Sequence, residues 1–95
     1  MSLFGITFVR IAGASMEPEL PDGSIALFYA RKRVEQGDVV LVNHIEFGVI
    51  VKRVRAVDID GGVWLEGTSS ASTSADKLGR VAASQVRGTL VFRLS

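Results

Sequence analysis

At 95 residues and a formal net charge of +1, the chain is long enough for one modest core and too evenly charged to grip nucleic acid by charge alone. Hydrophobic residues make up 47% of it, which excludes a disordered chain, and no apolar run approaches the roughly 20 residues of a spanning helix. The lack of cysteine excludes a disulfide framework, a thiol nucleophile and a thiolate metal site, and a single histidine is too few for structural zinc.

Ten glycines, two prolines and frequent β-branched residues suit short strands joined by turns. One domain over 1–95 is expected. Residues 3–12 read as a strand, with Phe4, Ile6 and Phe8 on one parity and Val9 and Ile11 on the other. Both faces of that strand are expected to be at least partly covered. The stretch is too short to span a bilayer, is interrupted by Arg10 and has no basic leader, so it is no signal peptide. The chain as given reads as a soluble domain.

Gly13 and Ala14 end the strand, and 15–20 reads as one helical turn. Ser15 has two readings here. It caps that turn, with Glu17, Pro18 and Glu19 suited to its first positions, or it is a reactive hydroxyl. Pro21-Asp22-Gly23 is a turn, followed by a strand over 24–30. Arg31, Lys32 and Arg33 form a basic cluster, read as a solvated strand end, with phosphate or lipid-headgroup contact as the other reading. A turn over 35–38 leads into a strand over 39–44. His44 ends that strand beside a hairpin-like link over 43–48; it is weighed as a catalytic base and read as a surface residue.

The run 47–57 is the most strand-like in the chain. Residues two apart share a face of a strand, so Ile50, Lys52, Val54 and Ala56 form one row and Val49, Val51, Arg53, Arg55 and Val57 the other. The two arginines mark the second row as the wetter one, which sends Lys52 toward apolar surroundings. Burial disfavours an ammonium and lowers the pKa of the amine, and a neutral amine can take a proton from a serine hydroxyl. The bland reading is a lysine that snorkels its head to the strand edge. A turn over 58–62, a short strand over 63–67, a polar loop over 68–74, a lead-in over 76–81 and a last strand over 86–94 complete the chain.

Ser15-Met16-Glu17-Pro18-x-Leu20-x-Asp22-Gly23, then Gly37-Asp38-Val39-Val40, then Val51-Lys52-Arg53-Val54, resembles the LexA-like and type I signal peptidase superfamily. The resemblance runs from about Ile11 to Arg93. It implies a mostly β, partly open antiparallel β-barrel or sandwich carrying a Ser/Lys dyad protease, with Ser15 as nucleophile and Lys52 as general base. The Ser15 N–H would contribute to the oxyanion hole, with a second donor from the backbone at Gly13, where some signal peptidases have a hydroxyl. Met16 would pack beneath the site and shape the substrate pocket, or serve plain core packing. The C-terminal part departs from the signal peptidase pattern: Gly67 is followed by Thr68-Ser69 rather than Asp-Asn. Ser74 in Ser74-Ala75-Asp76, or else Ser72, would orient the lysine.

The resemblance implies a protein or peptide substrate, cut in trans or as part of a self-cleaving protein, with no cofactor and no metal. Only fourteen residues precede Ser15, too few for this stretch to fold back as its own substrate. The alternative is a peptide-binding or dimerisation module of the same fold. No nucleic acid is expected as a partner of this domain alone. A cytoplasmic location is expected, with membrane association as the alternative: Phe4, Phe8, Phe28 and Tyr29 read either as an apolar rim for peripheral membrane contact or, preferably, as ordinary core. A homodimer is the remaining partner expectation.

Overall fold

The computed structural model describes residues 2–30, 33–66 and 79–94. Eight strands run β1 (Ser2–Leu3), β2 (Ile6–Arg10), β3 (Ile25–Tyr29), β4 (Val39–His44), β5 (Gly48–Val57), β6 (Val63–Glu66), β7 (Arg80–Val81) and β8 (Val86–Arg93). A 3₁₀ turn at Ala83–Gln85 leads into the last of them. They form one sheet in the order β1-β2-β3-β8-β4-β5-β6-β7, with every neighbouring pair antiparallel. The last strand lies between β3 and β4, so the C-terminal segment joins the two halves of the sheet. No helix among the described residues is long and apolar enough to cross a membrane.

With no α-helix among the described residues to cover it, the sheet must bury its own apolar surface, and it does so by curling into a half-barrel. β4 shows why. Its residues Val39 to Val42 are all buried, and they alternate between two cores. Val39 and Leu41 join Ile11, Met16, Leu20, Ala26 and Phe28 on one face. Val40 and Val42 join Val54, Val63, Leu65 and Val81 on the other. A one-residue slip of β4 would exchange these two sets, so the unbroken Val-Val-Leu-Val run holds its register through both faces.

Backbone chemistry sets the turns. The expected strand over 3–12 is in fact two, because Phe4 and Gly5 take positive φ (54° and 83°) and fold β1 back on β2 as a two-residue hairpin. The turn before β4 is bonded to β5: Gly37 N–H donates to the Val54 carbonyl (2.9 Å) and Val54 N–H to that of Asp38 (2.7 Å). After β5, Arg80 reaches back to Asp58 and Asp60, and the Trp64 Nε1–H donates to Asp58 (3.2 Å). The Asp60 carboxyl is held below its ordinary value by the Gly62 N–H and then by Arg80.

Two expectations about aromatic and polar side chains change. Phe4, Phe8, Phe28 and Tyr29 form neither one rim nor one core: Phe28 is buried, Tyr29 is half-buried, and Phe4 and Phe8 are exposed. His44 is buried, not at the surface. Its Nδ1 accepts the N–H groups of Glu46 (3.0 Å) and Phe47 (3.3 Å), so the ring closes the β4–β5 hairpin where a side-chain acceptor satisfies turn donors.

At Gly88 the sheet leaves little room for a side chain. A Cβ there would lie 3.0 Å from that of Phe28, at the centre of the first core and beside the irregular β3–β8 pairing. Gly88→Val is therefore expected to destabilise the fold by about 1–3 kcal/mol through overpacking, read as a lower urea midpoint with unchanged slope.

Candidate active site

The serine sits in the connection between β2 and β3, and that connection is closed at its base. Ile11 N–H donates to the Ser24 carbonyl (2.8 Å) and Gly23 N–H to that of Ile11 (2.7 Å), which extends the β2–β3 ladder past the strands. One step further in, Gly13 N–H donates to Asp22 Oδ1 (2.8 Å). The turn expected over 15–20 forms, with Leu20 N–H donating to the Met16 carbonyl (2.8 Å). Met16 and Leu20 are almost wholly buried and anchor the turn in the first core. Ser15 precedes that anchor and is half-buried.

The lysine sits on β5, opposite Val40 and in the same row as Ile50 and Val54. It is 4% exposed, as the row analysis expects, and burial pushes its amine below the ordinary lysine pKa. The other row, through Val49, Arg53, Arg55 and Val57, is the wetter one. Arg55 stands over the Trp64 ring there, 5.9 Å from its centroid.

Ser15 and Lys52 line the same cavity, of about 390 Å³. Val9, Ile11 and Met16 supply the wall beside the serine; Val49, Ile50 and Val51 on β5, with Phe47 in the turn before it, supply the other wall. The loop and the strand are also tied directly. Arg53, the residue after Lys52, pairs with the Glu19 carboxylate and donates to the Gly37 carbonyl, and Arg93 donates to the Glu19 carbonyl (3.2 Å). An exposed ion pair of this kind adds little stability by itself. Its consequence is geometric, because it joins the turn that follows the serine to the strand that carries the lysine.

Among the residues singled out from sequence, Ser15, Met16 and Lys52 come together at this cavity. Gly13 is not among the lining residues, and its N–H is engaged by Asp22. His44 does not line the cavity either. Ser72 and Ser74 lie outside the described residues. Sequence reasoning missed three features. Asp22 reads as a turn former, yet its carboxylate also reaches back nine residues. Glu19 and Arg53 have opposite charge, but 34 residues separate them and no periodicity links them. Val49 and Val51 belong to the row judged the wetter one, yet both line the cavity, Val49 exposed and Val51 packed against the first core.

The buried amine has a stability signature. Its folded pKa lies below its unfolded one, so the folded chain binds fewer protons between the two values and stability rises with pH across that window. Lys52→Met should therefore be more stable than the native chain at pH 7, by on the order of 1 kcal/mol. That gain should shrink toward pH 11 as the native amine loses its proton in both states. Urea titrations of the two proteins across this range measure it.

Comparison with protein families matches residues 4–87 to the family described as Peptidase S24-like. No curated protein and no solved structure matches the chain. The matched span takes in the serine turn, the Gly37-Asp38 turn and the lysine strand, and the curled antiparallel sheet is consistent with that family's fold. The chain belongs to the Peptidase S24-like family.

Proposed function

We propose that this protein is a serine endopeptidase that cuts an extended peptide with a Ser15/Lys52 dyad. The observation that carries the reading is the meeting of a half-buried serine and a buried lysine of lowered pKa at one apolar-walled cavity. Burial leaves a larger share of the amine neutral near neutral pH, and only the neutral form accepts a proton. Lys52 Nζ takes the proton of Ser15 Oγ as that oxygen attacks the scissile carbonyl carbon. The carbonyl electrons move to its oxygen, which the Ser15 N–H stabilises. The resulting ammonium returns the proton to the leaving amine as the C–N bond breaks, leaving an acyl-serine. Water, deprotonated by the same lysine, then releases the acid.

In this reading Gly13 serves the hole through the backbone it holds in place, since its own N–H is bonded to Asp22. Met16, buried under the turn and lining the cavity, supplies its floor. Ser74, or Ser72, is the residue proposed to orient the amine. The substrate is an extended segment whose apolar side chain enters between Met16 and Val51.

One observation favours a second reading, a dimerisation module. Phe8, Leu27 and Phe92 form a cross-strand row over β2, β3 and β8, and its two outer members are exposed. A monomer in sedimentation equilibrium at all concentrations would remove that reading.

Peptide cleavage measured on folded proteins tests the first. Ser15→Ala and Lys52→Ala should each lower kcat by about 10³-fold or more, with circular dichroism unchanged. The native rate should rise with pH along a limb whose midpoint lies below the ordinary lysine value of 10.5, because the protonated amine cannot act as base. Turnover that survives both substitutions would remove the dyad.

A further inference from the structure

The charge at the cavity is one-sided. Among the described residues its lining includes two basic residues, Arg10 and Lys52, and no carboxylate. On the dyad reading, on which this inference rests, Lys52 works uncharged, which leaves Arg10 as the one formal charge on the wall among the described residues. Arg53 and Arg80 hold carboxylates of the protein itself. Arg10 is exposed at the end of β2 and has no ion-pair partner among the described residues. The backbone beside it is open as well: β1 pairs with Ile6 and Thr7 only, so the outer edge of β2 from Phe8 to Arg10 carries no strand among the described residues. A peptide lying along that edge toward Ser15 brings its side chains within the 4.5–5.5 Å cross-strand spacing at which opposite charges attract and like charges repel.

We propose that the site selects extended peptides with a carboxylate side chain close to the apolar residue that fills the cavity, and that Arg10 determines this preference. Val9, Ile11, Met16, Val49 and Val51 offer the apolar residue its walls, and none of them distinguishes charge. Arg10 does, by attraction at the edge of the cavity and by repelling lysine or arginine at the same place.

The test uses fluorescein-labelled peptides of alternating valine and alanine, with a single Asp moved through each position, and matching peptides with Lys there. Binding to the Ser15→Ala protein is followed by anisotropy at about 50 mM salt, and cleavage by the native protein is measured on the same set. At the responsive position Asp should bind roughly tenfold tighter than Lys, the difference should vanish in Arg10→Gln, and the order should invert in Arg10→Glu. Raising the salt to about 1 M should compress the preference. Equal binding of Asp and Lys peptides at every position, or a preference unchanged in Arg10→Glu, would overturn the inference. The two proposals can fail separately. An Asp preference without any cleavage keeps the role of Arg10 and removes the dyad, whereas Ser15-dependent cleavage with no Asp preference does the reverse.

Discussion

An amine among aliphatic side chains has two ways to avoid the cost of a dry charge: it reaches water or it gives up its proton. Lys52 has Val40 opposite it and Ile50 and Val54 beside it in its own row, and it is nearly inaccessible. Its surroundings come from several elements. β4 supplies the facing strand, the 35–38 turn fixes the end of that strand against Val54, and the β2–β3 connection covers the cavity from the other side. Each of these would be ordinary packing if residue 52 were leucine. With lysine there, the same packing lowers the pKa of the amine.

The serine side is built for position more than for burial. Four attachments converge on the β2–β3 connection: the ladder at Ile11, the Asp22 carboxylate on Gly13, the buried pair Met16 and Leu20, and the hold of Arg53 and Arg93 on Glu19. None is strong taken singly. Together they leave the loop few ways to move relative to β5, which matters for the proposed dyad because reaction between two side chains depends steeply on placement. Arg53 and Lys52 are consecutive on one strand and so point to opposite faces, which lets one hold the loop while the other lines the cavity.

Much of this was legible in the sequence because it rests on short-range rules. Apolar, β-branched runs between turn signals located β3, β4, β5 and β8, parity put Lys52 in the dry row, and turn chemistry located 21–23, 35–38 and 58–62. The family boxes named Ser15, Met16 and Lys52, which line one cavity. What escaped depends on the curl of the sheet. That Val49 and Val51 line a cavity shared with the β2–β3 connection has no local signal, and neither has the pairing of Glu19 with Arg53. His44 looked like a surface residue because its strand ends there, yet the turn needed an acceptor and drew the ring inward. The split of 3–12 into β1 and β2 turns on positive φ at Phe4 and Gly5, a conformation for which phenylalanine gives no warning.

The sheet remains open, with β1 and β7 as its outermost strands, and each is only two residues long. A long bare margin would invite neighbouring molecules to stack edge on edge into fibrils. Here the outermost strands are too brief to template such growth, and the open stretch of β2 beside them runs only from Phe8 to Arg10.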